Sequence, residues 1–581
     1  MRIILDKIFL TARIVLILPL LFAFRISLLQ AEPPPPQPPP GTSAEILERK
    51  VRKQAEDEIR VKKPPEPVEV EVEKPAEEKK AAASFLARKI QIHSKEALPT
   101  AKYKDLPTDA ELAPLLAPYE GREITFEDLA ALNRKLEQFY RAKGYFAIVY
   151  TPPQRIEEGQ VRLEMLLAKM GNLEIEGPRW SRKSKVSSYW KTPPGEILHY
   201  QEIQKSVQAM NENPDRTVKP ILKAGAEPGT TDVHLKVEER FPVHAGYSFD
   251  NQGVKLTGRE RTGLTIRHNN LLRLDDIFLI GTAFGENFGA LYLQHMLPLT
   301  TFGTRLASHF SHSQVTPKKE FKPFGINGTA ETYGLSLMQR LFRNDRVWLD
   351  SHLGFDFKEK RTRTLSVTTG WDRLRVLSLG ANLQARDKTG SWGLGQDFSF
   401  GFSPHGNGFA LTSRDAESHF FKAEFSAERR QKLPFGEGIL TFQGQLSPDK
   451  LTPQEEFFLG GVSTVRGYPE SDFGADQAVR TSFEYFLPLF FIPIEWKLPL
   501  ANEPLREQIQ WFGFIDHGYG RLRDPAESEH RTRNMLGVGS GFQIRFRKHV
   551  TARFEWGVPL HDEPLTESGK SQFYFRLASE F

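Results

Sequence analysis

The strongest constraint on the fold is an alternation of apolar and polar residues that runs from Phe241 to Phe581. In the segment "HVTARFEWGV" (549–558), Val, Ala, Phe, Trp and Val alternate with His, Thr, Arg, Glu and Gly. Successive side chains of a β-strand point to opposite sides. Each such segment is therefore predicted to form a strand with one apolar face and one polar face.

A soluble β-sandwich would also alternate, but three features favour a barrel that spans a membrane. The segments run about 10–12 residues, which matches the roughly 9–11 that a tilted membrane-spanning strand needs. Their polar faces carry Arg, Glu and Gln, as the wall of a water-filled interior would, and aromatic residues recur on the apolar faces. We therefore predict a 16-stranded antiparallel transmembrane β-barrel over residues 241–581.

The lengths of the connections agree with this prediction. Most even-numbered strands end in a short turn and most odd-numbered strands in a longer loop, as in outer-membrane barrels. The seventh and eighth strands are expected at 344–358 and 373–387, and the longest loop at 448–477. Two connections break the pattern, a short one near Glu286 and a long one at 489–507, and the second has no explanation in the sequence.

The N-terminus has the order of a secretory signal. Arg2 and Lys7 precede an apolar run over residues 14–24. We expect a signal peptide over residues 1–31 and localisation to the outer membrane of a Gram-negative-type bacterium. The alternative is an uncleaved inner-membrane anchor, but the run is shorter than the roughly 20 residues that span a bilayer.

Composition excludes several classes of site. The chain has no cysteine, which rules out disulfides, thiolate metal sites and cysteine nucleophiles. Its net charge of +5 comes from interspersed charges, whereas a nucleic-acid-binding protein usually has a basic face. No HExxH, P-loop or G-x-S-x-G motif is present. We predict no catalytic residue, no metal site and no cofactor, and the chain is not expected to be an enzyme.

Two small α+β modules precede the barrel, at 85–168 and 169–240. In each, the order strand, helix, helix, strand, strand can be read from the hydrophobic pattern. Thr125 and Asp128 are predicted to cap the start of a helix that ends near Lys143, before Gly144.

A tether, residues 32–84, precedes the modules. It begins with "PPPPQPPP", which can only be extended, and ends in an acidic, proline-containing linker. Between them, residues 43–63 contain four acid–base pairs at i,i+4 spacing and favour a helix. The helix would be about 30 Å long, enough to plug a pore, but a solvated or disordered segment is the open alternative.

The segment "STVRGYPESDFG" (463–474) lies within the predicted long loop. Arg466 has a permanent charge and five donors in a loop, next to a glycine that allows a positive φ and to the flat ring of Tyr468. The sequence "FIDHG" (514–518) lies in a later strand, where Phe514, Asp516 and Gly518 share one face.

These segments resemble a known family. "YRAKGYFAIVYTPPQRIEEGQVRLEM" is similar to the first POTRA domain of two-partner secretion transporters, and "GAEPGTTDVHLKVEE" to the end of the second. "GGVSTVRGYPESDFGADQAVRTSFEYFLP" resembles the sixth extracellular loop of these proteins, and "FIDHG" their F-x-D-x-G motif. By this resemblance the chain is identified as a member of the TpsB branch of the BamA-like outer-membrane superfamily, over roughly residues 85–581.

The resemblance implies a function and a site. Such proteins export one large partner, a TpsA-like exoprotein, without nucleotide or cofactor, and their POTRA domains bind it unfolded. The loop arginine pairs with the aspartate of F-x-D-x-G inside the barrel, which implies a lumenal lock of Arg466 and Asp516. Five residues are expected to support the two motifs: Val465, Gly467, Tyr468, Phe514 and Gly518.

The resemblance also implies that Phe581, at the end of a lipid-facing row, serves as a signal for the barrel assembly machinery. The partners expected are thus the exoprotein, that machinery and outer-membrane lipid, with no nucleic acid. Two other functions remain open. One is a BamA-type factor that inserts other barrels, and the other is a passive solute porin, which would need neither the modules nor the lock.

Overall fold

A computed structural model describes residues 44, 71–72, 84–94 and 106–581, the last range with gaps at 157, 228, 302, 345, 403–415, 417, 498–503, 526–528, 547–548 and 565. The predicted signal peptide and all of the predicted helix 43–63 except Ala44 lie outside the described residues. The chain forms two compact units. One contains Pro65–Pro242 and Asn269–Asp275, and the other contains Val243–His268 and Asp276–Phe581.

In the smaller unit, the elements follow one another in the predicted order, with some additions. They are β1 (Glu71–Val72), β2 (Ser84–Ala87), β3 (Lys89–Ser94), α1 (Asp109–Leu116), a 3-10 turn (Ala117–Tyr119), β4 (Arg122–Thr125), α2 (Phe126–Ala142), β5 (Ala147–Tyr150), β6 (Gln160–Leu167), β7 (Lys169–Glu176), α3 (Lys183–Ser187), α4 (Tyr200–Met210), β8 (Arg216–Ala224) and β9 (Thr230–Glu239). The sheets have the orders β3-β6-β5, β2-β4 and β1-β8-β9-β7.

The helix α2 shows why these residues fold as they do. The Thr125 hydroxyl accepts a hydrogen bond from the Asp128 backbone N at 3.1 Å, and the Asp128 carboxylate accepts one from the Thr125 backbone N at 2.8 Å. This confirms the predicted capping box. One stripe of the helix is buried in the first of two apolar cores, and consists of Leu129, Leu132, Leu136 and Tyr140.

The prediction of an acidic linker before the modules missed a strand. Residues Glu71 and Val72 form β1, which pairs in parallel with β8, Val72 opposite Leu222. Val and Glu alternate from 68 to 73, and this period-2 pattern is the signal that indicates a strand.

The larger unit is a closed barrel of sixteen antiparallel strands, which confirms the predicted fold class. Its first eleven strands are β10 (Val243–Asp250), β11 (Arg261–His268), β12 (Ile277–Gly285), β13 (Phe288–Pro298), β14 (Thr304–Val315), β15 (Asn327–Arg343), β16 (Val347–Thr364), β17 (Val367–Arg386), β18 (Gly390–Phe402), β19 (Phe420–Leu433) and β20 (Gly436–Leu446). A 3-10 turn, Lys319–Phe324, lies between β14 and β15.

The remaining strands follow a long connection that contains β21 (Phe457–Leu459) and β22 (Phe473–Ala475). They are β23 (Gln477–Pro488), β24 (Ile509–Arg521), β25 (Thr532–Phe546), β26 (Val550–Pro559) and β27 (Gln572–Glu580). The short helix α5 (Leu505–Gln508) precedes β24. The barrel closes where β10 pairs with β27, Gly246 opposite Glu580.

The two faces of the wall differ as the alternation predicts. Leu335 and Leu379 are each 52% exposed on the outside, where a bilayer would cover them. Their chain neighbours on the inner face are glycine or serine, and the two glycines, Gly334 and Gly380, are buried beneath side chains of the adjacent strands.

The prediction was wrong about one hairpin. We expected residues 359–372 to form a loop, but β16 extends to Thr364 and β17 begins at Val367. The residues there are charged, and a membrane-spanning pattern therefore ends near Phe357. Backbone pairing does not depend on that pattern, and the ladder continues beyond it.

Candidate functional site in the barrel interior

The connection between β20 and β23, residues 447–476, is the long loop of this protein, and most of its side chains are buried. Within it β21 and β22 pair antiparallel, Phe457 opposite Ala475. Its apolar residues form one cluster with neighbouring strands: Leu459, Val465, Tyr468, Phe473, Ala475, Ala478, Leu522 and Met535. The loop is therefore a packed element with its own core.

Asp516 lies on the inner face of β24. Its neighbour Ile515 is 46% exposed on the outside, whereas Asp516 is fully buried. Because side chains alternate along a strand, the carboxylate points into the barrel. Ser482 faces it from β23 and donates a hydrogen bond to its Oδ1 at 2.6 Å.

The structure brings Arg466 of the long loop to this carboxylate. Arg466 Nε donates to Asp516 Oδ2 at 2.6 Å, and Nη2 donates to Oδ1 at 2.7 Å. The backbone N of Arg466 also donates to Asp516 Oδ2, at 3.1 Å. This bidentate fork sets both distance and orientation, and a lysine cannot reproduce it.

Two further carboxylates surround the same guanidinium. Arg466 Nη1 donates to Glu484 at 2.5 Å and to Glu555 at 2.8 Å. Arg553 donates to both of these glutamates, each at 2.6 Å. We call Arg466, Asp516, Glu484 and Glu555 the Arg466 cluster. It joins the loop to three strands, β23, β24 and β26.

The charge of Arg466 is strongly favoured in this environment. Burial alone would lower the pKa of Arg466. The hydrogen bonds to Asp516 and the charges of Asp516, Glu555 and Glu484 outweigh burial and raise that pKa further above its ordinary value. The guanidinium carbon also lies 3.5 Å from the centre of the Phe514 ring, within cation–π range.

The geometry accounts for the three fixed positions of F-x-D-x-G. Phe514 supplies the ring under Arg466, and Asp516 supplies the carboxylate. At Gly518, an added Cβ would lie 2.7 Å from Val465 Cγ2 and 3.0 Å from Leu459 Cδ2. Glycine is thus required where the loop packs directly on the strand.

The residues after Arg466 fix the turn of the loop. Gly467 has a φ of +100°, and a Cβ there would lie 2.6 Å from the Pro559 backbone N. Its own backbone N donates to the Tyr574 hydroxyl at 3.1 Å, and that hydroxyl donates to the Tyr468 carbonyl at 3.1 Å. Both the conformation and the close approach require glycine.

Tyr468 and Val465 are fully buried on either side of this turn. The Tyr468 hydroxyl accepts hydrogen bonds from the backbone N of His561 at 3.1 Å and of Leu536 at 3.3 Å. The tyrosine therefore anchors the loop to β25 and to the segment after β26.

A second ionic contact holds the first half of the loop and was not predicted. The Glu455 side chain is 1% exposed, and its two oxygens lie 2.6 Å from Lys358 Nζ and 2.9 Å from Lys422 Nζ. Burial alone would raise the pKa of Glu455, but the two lysines hold it well below its usual range. We call Glu455, Lys358 and Lys422 the Glu455 cluster. It joins the loop to β16 and β19.

The sequence offered a motif for only part of this site. Glu484, Glu555 and the Glu455 cluster escaped prediction because they come from distant points of the chain. The only sequence signal for Glu484, Glu555, Lys358 and Lys422 is parity, since each lies on the polar face of its strand. Glu455 lies in the long loop and has no such signal.

Phe581, the predicted assembly signal, lies directly after β27 and is 68% exposed. Its backbone N donates to the Ala245 carbonyl at 2.9 Å, and the Ala245 N donates to the Phe581 carbonyl at 3.0 Å. The terminal residue thus extends the seam between β27 and β10.

Ala44, the described residue of the predicted plug, is helical and 1% exposed. It packs against Phe288, Val315 and Ala330, and its carbonyl accepts a hydrogen bond from Ser313 Oγ at 2.6 Å. These partners lie on the strands β13, β14 and β15.

Among the described residues, no group of His, Asp or Glu is arranged to hold a metal ion. In that same part of the chain, no helix is both long and apolar enough to cross a membrane.

A closed sixteen-stranded barrel whose long loop is anchored inside it, preceded by small α+β domains, defines a POTRA-containing outer-membrane protein of the BamA-like superfamily. The family model described as haemolysin secretion/activation protein ShlB/FhaC/HecB matches residues 229–544, and that of the POTRA domain, ShlB-type, matches residues 100–167. The chain belongs to the haemolysin secretion/activation protein family.

Curated relatives agree over most of the chain. The heme/hemopexin transporter protein HuxB of Haemophilus influenzae (strain 86-028NP) is 24% identical over 498 residues, which are 81% of this chain and 84% of that protein. The outer membrane transporter CdiB of Dickeya dadantii is 25% identical over 472 residues, 78% of this chain and 81% of that protein.

Solved structures show the same fold. CdiB from Escherichia coli matches with a TM-score of 0.64 and 18% identity, over 92% of this chain and 98% of that one. BamA from Haemophilus ducreyi lacking POTRA domains 1–3 matches with a TM-score of 0.55 and 12% identity, over 86% of this chain and 100% of that one. The chain is an outer-membrane transporter of two-partner secretion, and its POTRA domains lie in the periplasm. Its family is one of transporters that work with a secreted partner.

Proposed function

We propose that the long loop is the closing element of this transporter and that the Arg466 cluster is its lock. The observation that carries the proposal is the bidentate pairing of Arg466 with Asp516, both almost fully buried. Loss of one member of a buried ion pair costs about 3–5 kcal/mol, because a charge is left without its partner. The pairing is thus strong enough to hold the loop in one position at rest.

The transported partner is a TpsA-like exoprotein, which the POTRA domains at 85–168 and 169–240 bind in unfolded form. Binding can displace the loop only if the partner binds the open state more tightly than the closed one. The free energy that opens the lock therefore comes from differential binding of the exported chain, with no nucleotide or cofactor.

The Glu455 cluster is the second anchor of the same closed state. A loop held at one point could pivot about it, whereas contacts on β16 and β19 as well as on β24 fix both halves. Opening requires both clusters to separate, or the loop to rearrange between them.

Two further roles follow from the termini. Helix 43–63 plugs the barrel at rest, supported by the burial of Ala44 against β13 to β15. Phe581 guides insertion by the barrel assembly machinery into outer-membrane lipid. Deleting Phe581 is accordingly expected to lower the amount of folded protein in the outer membrane, measured by the heat-modifiable band on gels.

The lock is tested by secretion. Arg466→Ala and Asp516→Ala should insert normally but release much less partner into the medium. The large exported protein of the neighbouring reading frame serves as the partner, and absence of such a frame would favour the assembly-factor alternative. The matched control is Arg430→Ala, which removes an exposed ion pair with Glu428 and should leave export unchanged. Wild-type export by both lock variants would overturn the proposal.

A further inference from the structure

The hairpin of β16 and β17 extends far beyond a bilayer. Its strands contain 18 and 20 residues, whereas about 9–11 suffice to cross. They are joined by a tight turn at Leu365 and Ser366, with φ angles of +47° and +70°. The first barrel strand follows the periplasmic domains, so a turn after the seventh strand lies on the outer side of the membrane.

The outward face of this hairpin changes character along its length. One row across β15, β16 and β17 is apolar, and consists of Leu335, Phe355 and Leu377. The next outward row is Tyr333, Phe357 and Arg375, and the one after it is Glu331, Glu359 and Arg373. Aromatic residues followed by charges mark the edge of the apolar band of a membrane barrel.

At this edge the guanidinium groups are held by aromatic rings. The Arg373 guanidinium lies 3.6 Å from the centre of the Trp371 ring, and that of Arg361 lies 4.7 Å from it. Glu359 accepts a hydrogen bond from the Trp371 indole at 2.7 Å and lies 3.2 Å from Arg361 Nη2. Stacking and this shared carboxylate orient both arginines before any ligand binds.

Arg375 is one row closer to the bilayer. Its guanidinium lies 4.6 Å from the centre of the Phe357 ring, and its Nη1 donates to the Leu374 carbonyl at 3.0 Å. The nearby carboxylate of Glu359 forms its ion pairs with Arg361 and Arg373, and it acts on Arg375 only through its charge. Its charge is thus available to an anion at the level where the acyl chains end.

We propose that this face, formed by Arg361, Arg373 and Arg375 with Trp371, binds the phosphate groups of lipid A in the outer leaflet. Two observations select this occupant. The cations continue directly from the lipid-facing apolar rows, and the guanidinium fork matches the geometry of phosphate oxygens. A phosphate-bearing glycolipid places its acyl chains on the apolar rows and its phosphates on the arginines at the same time.

The test follows thermal unfolding of the purified full-length protein with diphosphoryl lipid A, with dephosphorylated lipid A and with inorganic phosphate. Lipid A should raise the Tm of the wild type, and the other two should do so much less. In the triple variant R361Q/R373Q/R375Q, the concentration for half of the shift should rise about tenfold, equivalent to about 1.4 kcal/mol.

The matched control is Arg429→Gln. Arg429 pairs with Trp392 in the ladder and lies 5.0 Å from the centre of its ring, beside Asp387 of a periplasmic turn. It is an outward arginine on a tryptophan at the opposite leaflet, and its variant should respond to lipid A as the wild type does. Arg466→Ala should also keep that response, which separates this proposal from the lock.

Three results would overturn the proposal. They are an unchanged response of the triple variant with normal export, an unchanged response with a loss of export, which would assign the face to the exported chain, and an equal shift by dephosphorylated lipid A or by inorganic phosphate. Folding is checked by heat-modifiability. If the triple variant does not fold, Arg375→Gln alone should show a smaller change in the same direction, and no change would overturn the proposal.

Discussion

The long loop is held by two clusters of opposite sign. In the Arg466 cluster, one cation lies among three carboxylates, on β23, β24 and β26. In the Glu455 cluster, one carboxylate lies between two ammonium groups, on β16 and β19. The loop contributes a cation to the first cluster and an anion to the second. If either half of the loop moved to the other site, like charges would face each other. The arrangement thus sets the register of the loop as well as its position.

The clusters also differ in stiffness. A guanidinium offers a planar fork with several donors, whereas a lysine ammonium is a compact charge on a flexible stem. The bidentate hydrogen bonds to Asp516, the stacking on the Phe514 ring and the backbone N–H of Arg466 together fix the orientation of the guanidinium. Glu455 is held by its attraction to two flexible ammonium groups. One of them, Lys422, also lies 3.1 Å from a second carboxylate, that of Glu424. We therefore expect the first cluster to be the stronger and the more specific.

The largest effect is expected from changes at Arg466. Arg466→Ala leaves the buried Asp516 without its cation, while Arg553 still pairs with Glu484 and Glu555. It should lower the free energy of unfolding by about 3–5 kcal/mol. Arg466→Lys should recover only a small part of that loss, because it cannot form the bidentate fork. Urea unfolding followed by tryptophan fluorescence measures both, and full recovery by lysine would show that charge alone matters here.

A smaller loss is expected from Glu455→Gln, about 1–3 kcal/mol, since the flexible lysines can relocate their charge. Changing Lys358 and Lys422 to Met in the same variant should restore much of the stability, because a buried ion group can be replaced by apolar side chains of similar volume. Urea unfolding followed by tryptophan fluorescence measures both changes in stability. A loss as large as that of Arg466→Ala would remove the distinction between the clusters.

The packing of the loop against Gly518, beside the Arg466 cluster, can be changed without altering a charge. Gly518→Ala places a Cβ against Val465 and should cost about 1–3 kcal/mol through overpacking, and adding Val465→Ala should recover part of it. The control is Gly289→Ala, since a Cβ at Gly289 meets nothing within 4 Å. Equal stabilities of the two single variants would show that the loop is not packed tightly on β24.

The smallest effect on stability is expected from removing residues 32–63. Both clusters remain in this variant, and its unfolding should match the wild type. If the helix occupies the barrel, single-channel conductance in a planar bilayer should rise. Equal conductance would show that the loop alone closes the interior and would favour a solvated segment at 43–63.

Much of the fold could be predicted from local pattern. The alternation set the number of barrel strands, and the capping pair Thr125 and Asp128 marked the start of α2. Prediction failed where strands pair although the alternation of apolar and polar residues is absent or very short. The charged ends of β16 and β17 carry no apolar outward row that would mark them as strands. The two residues of β1 form a strand only because they pair with β8.

The sequence by itself determined which residues face lipid and which face the interior, because strand parity is a local property of the backbone. The resemblance of two segments to a known family implied that Arg466 pairs with Asp516. Only the tertiary structure decided which inward charges meet. Glu484 and Glu555 reach Arg466, and Lys358 and Lys422 reach Glu455, across 18, 89, 97 and 33 residues of chain. Such contacts depend on the closure of the barrel and the path of the loop, and no local sequence pattern encodes them.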